Sequence, residues 1–405
     1  MVRSLATTLI AFGVVAPVFC PAEAQDGEWK LDAEVVVVAS AVESDDPLAP
    51  AADGLMASAL IGVSREDTFD NGWTLEWRLA GRYERDAPAR PAFAGTLGGC
   101  PTANPVCPGV VGLSPVSPVT GLAAGGPGTE EEGFVALETA ALTLLTPWGD
   151  GVIGADVGVA TRLDARAPTV LRRVSVLSAG LDPTGLAVSR SRNDVTGSSA
   201  KVSYMSPRWL GLRAGASYTP EANLRSADFD PDADGPGRVS AELENIWEGA
   251  VSFARQFAEQ DLRVRAALTY TSADSGAGLA AFGGYEAWGG GLELEHGEWT
   301  GGVRWLNSNN AWEAGSVDYE AWEAGLVHQA GEWRFGVEAG WATDDLTATE
   351  GASWLVGVGY DVNEHVNLGL GWASSEADLP VPSGPNLGHR NARNDGLLVE
   401  LSVRN

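Results

Sequence analysis

From Trp333 to Trp341 the chain reads Trp-Arg-Phe-Gly-Val-Glu-Ala-Gly-Trp, and every second residue is apolar. Side chains on a strand alternate between faces. Trp333, Phe335, Val337, Ala339 and Trp341 therefore form a greasy face, and Arg334, Gly336, Glu338 and Gly340 a polar or small one. The pattern returns in Trp354, Val356, Val358 and Tyr360, and again in Val366, Leu368, Leu370 and Trp372. A water-soluble sheet needs a second layer over its apolar face. A closed transmembrane sheet uses lipid instead and sets aromatics at both water interfaces. The eight steps from Trp333 to Trp341, on a tilted strand, rise about 20 Å, close to the roughly 25 Å apolar band of an outer membrane. A secreted soluble sandwich or propeller is the rival reading. It would carry a dense Val/Ile/Leu face rather than Gly and Ala between aromatics.

Residues 1–24 read as a signal peptide, leaving 25–405 as one barrel unit. Arg3 gives a basic start, Leu5 to Cys20 is mostly apolar, and Ala22-Glu23-Ala24 offers small residues at the cleavage positions. Bulky Phe19 argues against lipid attachment at Cys20. Beyond the leader no apolar run approaches the roughly 20 residues of a spanning helix. A formal charge of −28 argues against nucleic-acid binding, which needs basic surface. Cys100 and Cys107 remain in an exported loop and are expected to form a local disulfide. A metal site there is disfavoured, because no other Cys or His lies near. No cofactor is expected.

The pattern resolves into 16 candidate strands: 28–43, 55–66, 71–85, 133–146, 150–161, 197–206, 208–219, 244–258, 261–272, 284–296, 298–307, 318–330, 332–343, 351–361, 365–375 and 394–405. Short turns alternate with longer segments, at 44–54, 86–132, 162–196, 220–243, 273–283, 308–317, 344–350 and 376–393. The expectation is an all-β, antiparallel transmembrane barrel. Short turns and both termini would be periplasmic, and the long loops external.

Two stretches add a resemblance. One is Ser64-Arg65-Glu66-Asp67 followed by Asn71-Gly72-Trp73-Thr74-Leu75-Glu76-Trp77-Arg78-Leu79. The other is Lys201 to Pro207 followed by Gly211 to Pro220, with a Ser-Pro turn. Together with the layout, the chain resembles the Gram-negative general porins. The resemblance implies a 16-stranded outer-membrane barrel, a homotrimer in lipid, and passive diffusion of small hydrophilic solutes and ions. It also implies that the loop after the fifth strand, about 162–196, folds into the lumen as the constriction. Two departures stand out. The chain places Asn405 where such barrels usually carry a terminal aromatic, and its constriction loop is not acidic.

That loop is where selectivity is expected. Residues 162–213 hold nine Lys and Arg against three Asp, 9 − 3 = +6 in an acidic chain. The candidate selectivity residues are Arg162, Arg166, Arg172, Arg173, Arg190 and Arg192, with wall residues Arg78 and Arg82 where the resemblance implies basic side chains. Inward parity adds Arg263, Arg265, Arg304 and Arg334 to the wall. Either these cations face water and favour anions, or they pair with acids such as Glu76, Glu138 and Asp156 and pin the loop. Mild anion preference is the expectation.

Other features carry less. Asp230, Asp232 and Asp234 with Gly235 mimic the start of a calcium loop, but Ala241 stands at its twelfth position and a solvated acidic loop is expected. The four histidines form no metal-protease motif, and no nucleophile-elbow or phosphate-loop motif appears, so no enzyme is expected. Two alternatives remain. One is a channel selective for sugars or phosphate-type anions. The other is a plugged barrel acting as an adhesin through loop 86–132, a loop that in trimeric porins latches a neighbouring subunit.

Overall fold

The computed structural model describes residues 24–25, 27–45, 54–85, 114–115, 117–119, 134–176, 181–222, 238–239, 243–275, 282–313, 315–383 and 386–405. The expected leader, Cys100, Cys107 and the Asp230–Asp234 run lie outside them, save Ala24, which with Gln25 pairs against Thr68 and Phe69. Among the described residues, no group of His, Cys, Asp and Glu could hold a metal ion.

Sixteen strands make the wall: β1 Trp29–Ser44, β2 Gly54–Phe69, β3 Thr74–Arg85, β4 Phe134–Thr146, β5 Gly149–Ala155, β6 Ala200–Met205, β7 Leu212–Glu221 and β8 Leu243–Phe257; then β9 Leu262–Ser275, β10 Tyr285–His296, β11 Trp299–Ser308, β12 Tyr319–Ala330, β13 Trp333–Asp344, β14 Thr349–Asp361, β15 Val366–Ser383 and β16 Asn386–Arg404. Each pairs antiparallel with the next. β16 returns to β1 from Asn394↔Ser44 to Arg404↔Glu34, so the sheet closes and leaves no free edge in lipid. The tight turns at Gly297 and Gly331 hold φ of 57° and 61°, a left-handed conformation that glycine adopts without strain.

Burial separates the two faces as the alternation requires. Trp333, Phe335, Val337 and Trp341 are 43–49 % exposed, whereas Glu338 between them is 2 % exposed. The exposed face is the lipid face. Aromatics band it at both ends. Tyr218 lies against Trp247 at 4.8 Å, Tyr270 against Trp288 at 4.6 Å and Trp322 against Trp341 at 5.7 Å toward the long loops. Trp299–His328 and Trp333–Tyr360 mark the short-turn end.

The fifth strand ends sooner than its sequence suggests. The apolar alternation continues past Ala155, but Val159 and Leu163 bury inside the barrel against Val152, Met205 and Ala250. A short helix, α1 Val159–Arg162, starts the inward turn. The connection expected at 376–393 is instead a hairpin, since β15 and β16 stay paired out to Ser383↔Asn386. Such a ladder needs no apolar alternation, the signal on which the strand ends were placed. The described part of segment 86–132 packs on its own barrel. Ser114–Pro115 pairs with Arg238–Val239, buried Ser117 donates to Asn310 Oδ1 at 2.9 Å, and Val119 packs against the lumenal apolar cluster around Trp312.

The described residues of the loop, 156–176 and 181–199, line the inside of the wall. Its outgoing limb crosses a lane of inward glycines. A Cβ at Gly291 would overlap the Ala165 carbonyl, at Gly325 the Pro168 carbonyl, and at Gly369 the Leu171 side chain. The tip buries Val170, Leu171, Val174, Val176 and Leu181 against Val36, Val38, Met56, Leu355 and Leu398. The returning limb passes Ser375, Tyr319 and Glu248 on its way back to β6.

Two outcomes test this arrangement. Val337→Arg, a charge on the lipid face, should lower barrel stability by about 2–4 kcal/mol in reversible urea unfolding from vesicles. Gly325→Val should lift the outgoing limb. Amide exchange at 163–176 should then quicken by about tenfold or more, the equivalent of ~1.4 kcal/mol of local opening, with wall strands unchanged.

Candidate functional site

A chain inside a barrel must satisfy its own backbone polar groups. Here wall carboxylates do much of this. Glu400 on β16 accepts from the backbone N–H of Arg172, Arg173 and Val174 at 2.7, 3.0 and 2.9 Å. Glu338 on β13 accepts from Val170 at 2.8 Å and Val176 at 3.3 Å. Tyr319 on β12 accepts from Arg190 N–H at 2.7 Å, and Asn394 donates to the Thr184 carbonyl at 2.7 Å. The loop's path, and with it the direction of its side chains, is set by these contacts.

With the backbone held, the arginines fall into two groups. Arg166, Arg172, Arg173, Arg190 and Arg192 line one recess of about 210 Å³, joined by Arg304 from β11 and by a single carboxylate, Asp194. Arg162, Arg78 and Arg82 do not line it. Arg162 and Arg78 converge on Asp156 at the end of β5, the Arg78 contact being 3.5 Å, and Arg78 also meets Glu76 at 3.2 Å. Arg82 is buried against Glu138 and donates to Ser58 at 2.9 Å. Arg78 and Arg162 pin the wall to the root of the loop through Asp156, while Arg82 braces neighbouring wall strands, so all three acids that the pairing alternative names are engaged.

Three of the recess arginines have close carboxylate partners. Arg172 meets Asp361 at 2.9 Å and Arg173 meets Glu84 at 3.0 Å. Arg304 spans Asp164 on the loop at 3.0 Å and Glu323 on β12 at 2.8 Å. Glu84, Glu323 and Asp164 have side chains 0, 2 and 6 % exposed. Arg173 thus presents its guanidinium to water over a buried Glu84, whereas Arg304 is buried together with both of its acids and Arg172 is about as exposed as Asp361. Arg304 is the residue that ties the loop into this layer. Its inward parity on β11 is visible in the sequence, but its place among the loop arginines depends on where the loop crosses. Nothing in the sequence marks Glu338, Glu400 or Tyr319 as anchors.

Arg263 and Arg265 form wall pairs with Glu295 at 3.6 Å and Glu293 at 2.9 Å, away from the recess lining. Arg334 lies 3.8 Å from Asp361.

A family model described as Gram-negative porin matches residues 6–378. No curated protein matches the sequence. Among solved structures, the anion-selective porin of Comamonas acidovorans is 12 % identical, covering 93 % of this chain and 100 % of its own, with a TM-score of 0.52. The trimer form of OmpT, an outer membrane protein of Vibrio cholerae, is 12 % identical over 94 % of this chain and 100 % of its own, TM-score 0.52. The outer membrane channel DcaP of Acinetobacter baumannii is 11 % identical over 93 % and 97 %, TM-score 0.54. At these identities the likeness is one of fold. The closed 16-stranded wall, the lumenal loop and the matched span agree: this chain belongs to the Gram-negative porin family and forms an outer-membrane channel.

Proposed function

We propose that the protein, freed of residues 1–24 on export, is a passive diffusion channel for small hydrophilic solutes with a mild preference for anions. The observation that carries this is the recess lining: five arginines and one aspartate from the loop inside the barrel, with Arg304 from the wall. The likeness in fold to an anion-selective porin is in keeping with it. A low-dielectric throat magnifies such a surface relative to the acidic loops farther out. Arg162, Arg78 and Arg82 act in this reading as braces, because Asp156 and Glu138 take up their charge.

The same reading includes a homotrimer. The aromatic band facing the long loops runs from β7 to β15 and ends at Trp372, whose neighbours in register across β16 and β1 are Leu397 and Ala41. There the outward face is small and aliphatic, with Ala39, Ala41, Leu55 and Val399. A strand face that lacks an interfacial belt suits a second copy of the chain better than a lipid boundary. One of the structural relatives is a trimer.

Two measurements check these points. In a planar bilayer under a potassium chloride gradient, the reversal potential should take the sign of chloride preference. Arg166→Glu should shift the permeability ratio toward potassium by about fivefold for each ~1 kcal/mol of ion energy removed. Clear cation selectivity in the unaltered channel overturns the reading. For assembly, native mass spectrometry should find three copies, and Ala39→Trp should weaken that association. A monomer mass for the unaltered protein contradicts the trimer.

A further inference from the structure

Resting on that anion reading, the recess has a feature that a diffuse positive field does not need. Four of its six arginines are accounted for, with Arg172, Arg173 and Arg304 in ion pairs of 2.8–3.0 Å and Arg190 likewise partnered. Arg192 has only a loose contact with Asp194 at 3.8 Å. Arg166 is exposed to the recess and makes no ion pair or side-chain hydrogen bond among the described residues. The Arg192 guanidinium, then partial desolvation, then Arg304 hold Arg166 below the ordinary arginine value. Like charges are therefore held together by the fold with too little opposite charge between them, an arrangement that an incoming anion relieves.

The side-chain type narrows which anion. A guanidinium is a planar fork whose parallel N–H groups match two oxygens of a carboxylate, sulfate or phosphate, whereas a halide offers no such edge. Two under-matched forks on one recess suit a ligand with an oxygen edge on each side. We propose that Arg166 and Arg192 form a saturable subsite for a small oxyanion presenting two oxygen edges, bound transiently as it crosses the constriction. Sulfate and hydrogen phosphate present such edges around one centre, and a short dicarboxylate presents them on two carboxylates. A monocarboxylate presents one. Because Glu84, Glu323 and Asp164, the partners of neighbouring Arg173 and Arg304, are buried nearby and offset the charge at longer range, the site acts by contact rather than at a distance.

The test is single-channel current carried by chloride at fixed ionic strength, with sulfate, malonate or acetate replacing part of the chloride. Sulfate or malonate should reduce the current along a saturating curve, and acetate should reduce it only in proportion to the chloride it replaces. Block by sulfate alone assigns a tetrahedral ligand; block by malonate alone assigns a dicarboxylate. Arg166→Lys keeps the charge and loses the fork, so block should weaken by about tenfold or more while the reversal potential keeps its sign. Arg166→Gln should abolish the block, with heat-modifiable gel migration confirming a folded barrel. Equal block by acetate, no saturation with any anion, or an undiminished block in Arg166→Lys overturns the subsite. The last three results leave anion preference standing, which the reversal potential alone decides.

Discussion

The unmet backbone hydrogen bond is the constraint on which this structure depends. In lipid no water is present to satisfy an edge strand, so the sheet must close, and it does so when β16 pairs with β1. Inside the barrel the same constraint returns for a segment that is not a strand. Among its described residues the loop at 156–199 has no sheet partner, so the wall supplies acceptors. Glu400 takes three consecutive N–H groups and Glu338 takes two more. A carboxylate at such a position serves first as a backbone acceptor, and its charge is a consequence that the neighbouring arginines then offset.

Packing and electrostatics meet on the same strands. The glycine lane lets the outgoing limb lie directly on the wall, because a side chain at Gly291 or Gly325 would occupy the loop's backbone. Close approach brings Asp164 within 3.0 Å of Arg304, which is fully buried and also bound to Glu323. Ionic groups taken out of water are tolerated only when paired, and breaking one partner of such a set typically costs about 3–5 kcal/mol. The loop is thus held by shape along one limb, by backbone acceptors at the tip, and by a buried ion triad between its limbs and the wall.

The wall was legible in the sequence because its two solvents differ. Lipid outside and water inside impose a period of two, and Trp333–Trp341 shows it without interruption. All 16 strands follow from that period and from the alternation of short and long connections. It misleads where its cause changes: Val157 and Val159 prolong the alternation of β5, yet Val159 faces a lumenal cluster rather than lipid. The site was less legible. The excess of arginine at 162–192 is plain in the sequence, but which of those cations face water depends on contacts some 200 positions away, as between Arg172 and Glu400. Arg162 and Arg166 are four residues apart with the same charge, and among the described residues only the first pairs with a carboxylate. No local pattern separates them.

The division of labour among these arginines follows from where their partners lie. A cation whose carboxylate is beside it at the surface contributes almost nothing to a passing ion. One whose carboxylate is buried behind it contributes over a short distance, because the two charges form a layer whose field falls off faster than that of a lone charge. Arg173, with Glu84 at 0 % exposure, is of the second kind, and Arg263, with half-exposed Glu295, is of the first. The formal charge of −28 therefore says little about the throat. In the proposed reading, charges farther than a Debye length from the throat are screened by salt, while a passing ion meets the arginine layer at contact range. In the proposed anion reading, selectivity follows from the side of the wall on which each half of an ion pair is placed rather than from how many charges of each sign the chain contains.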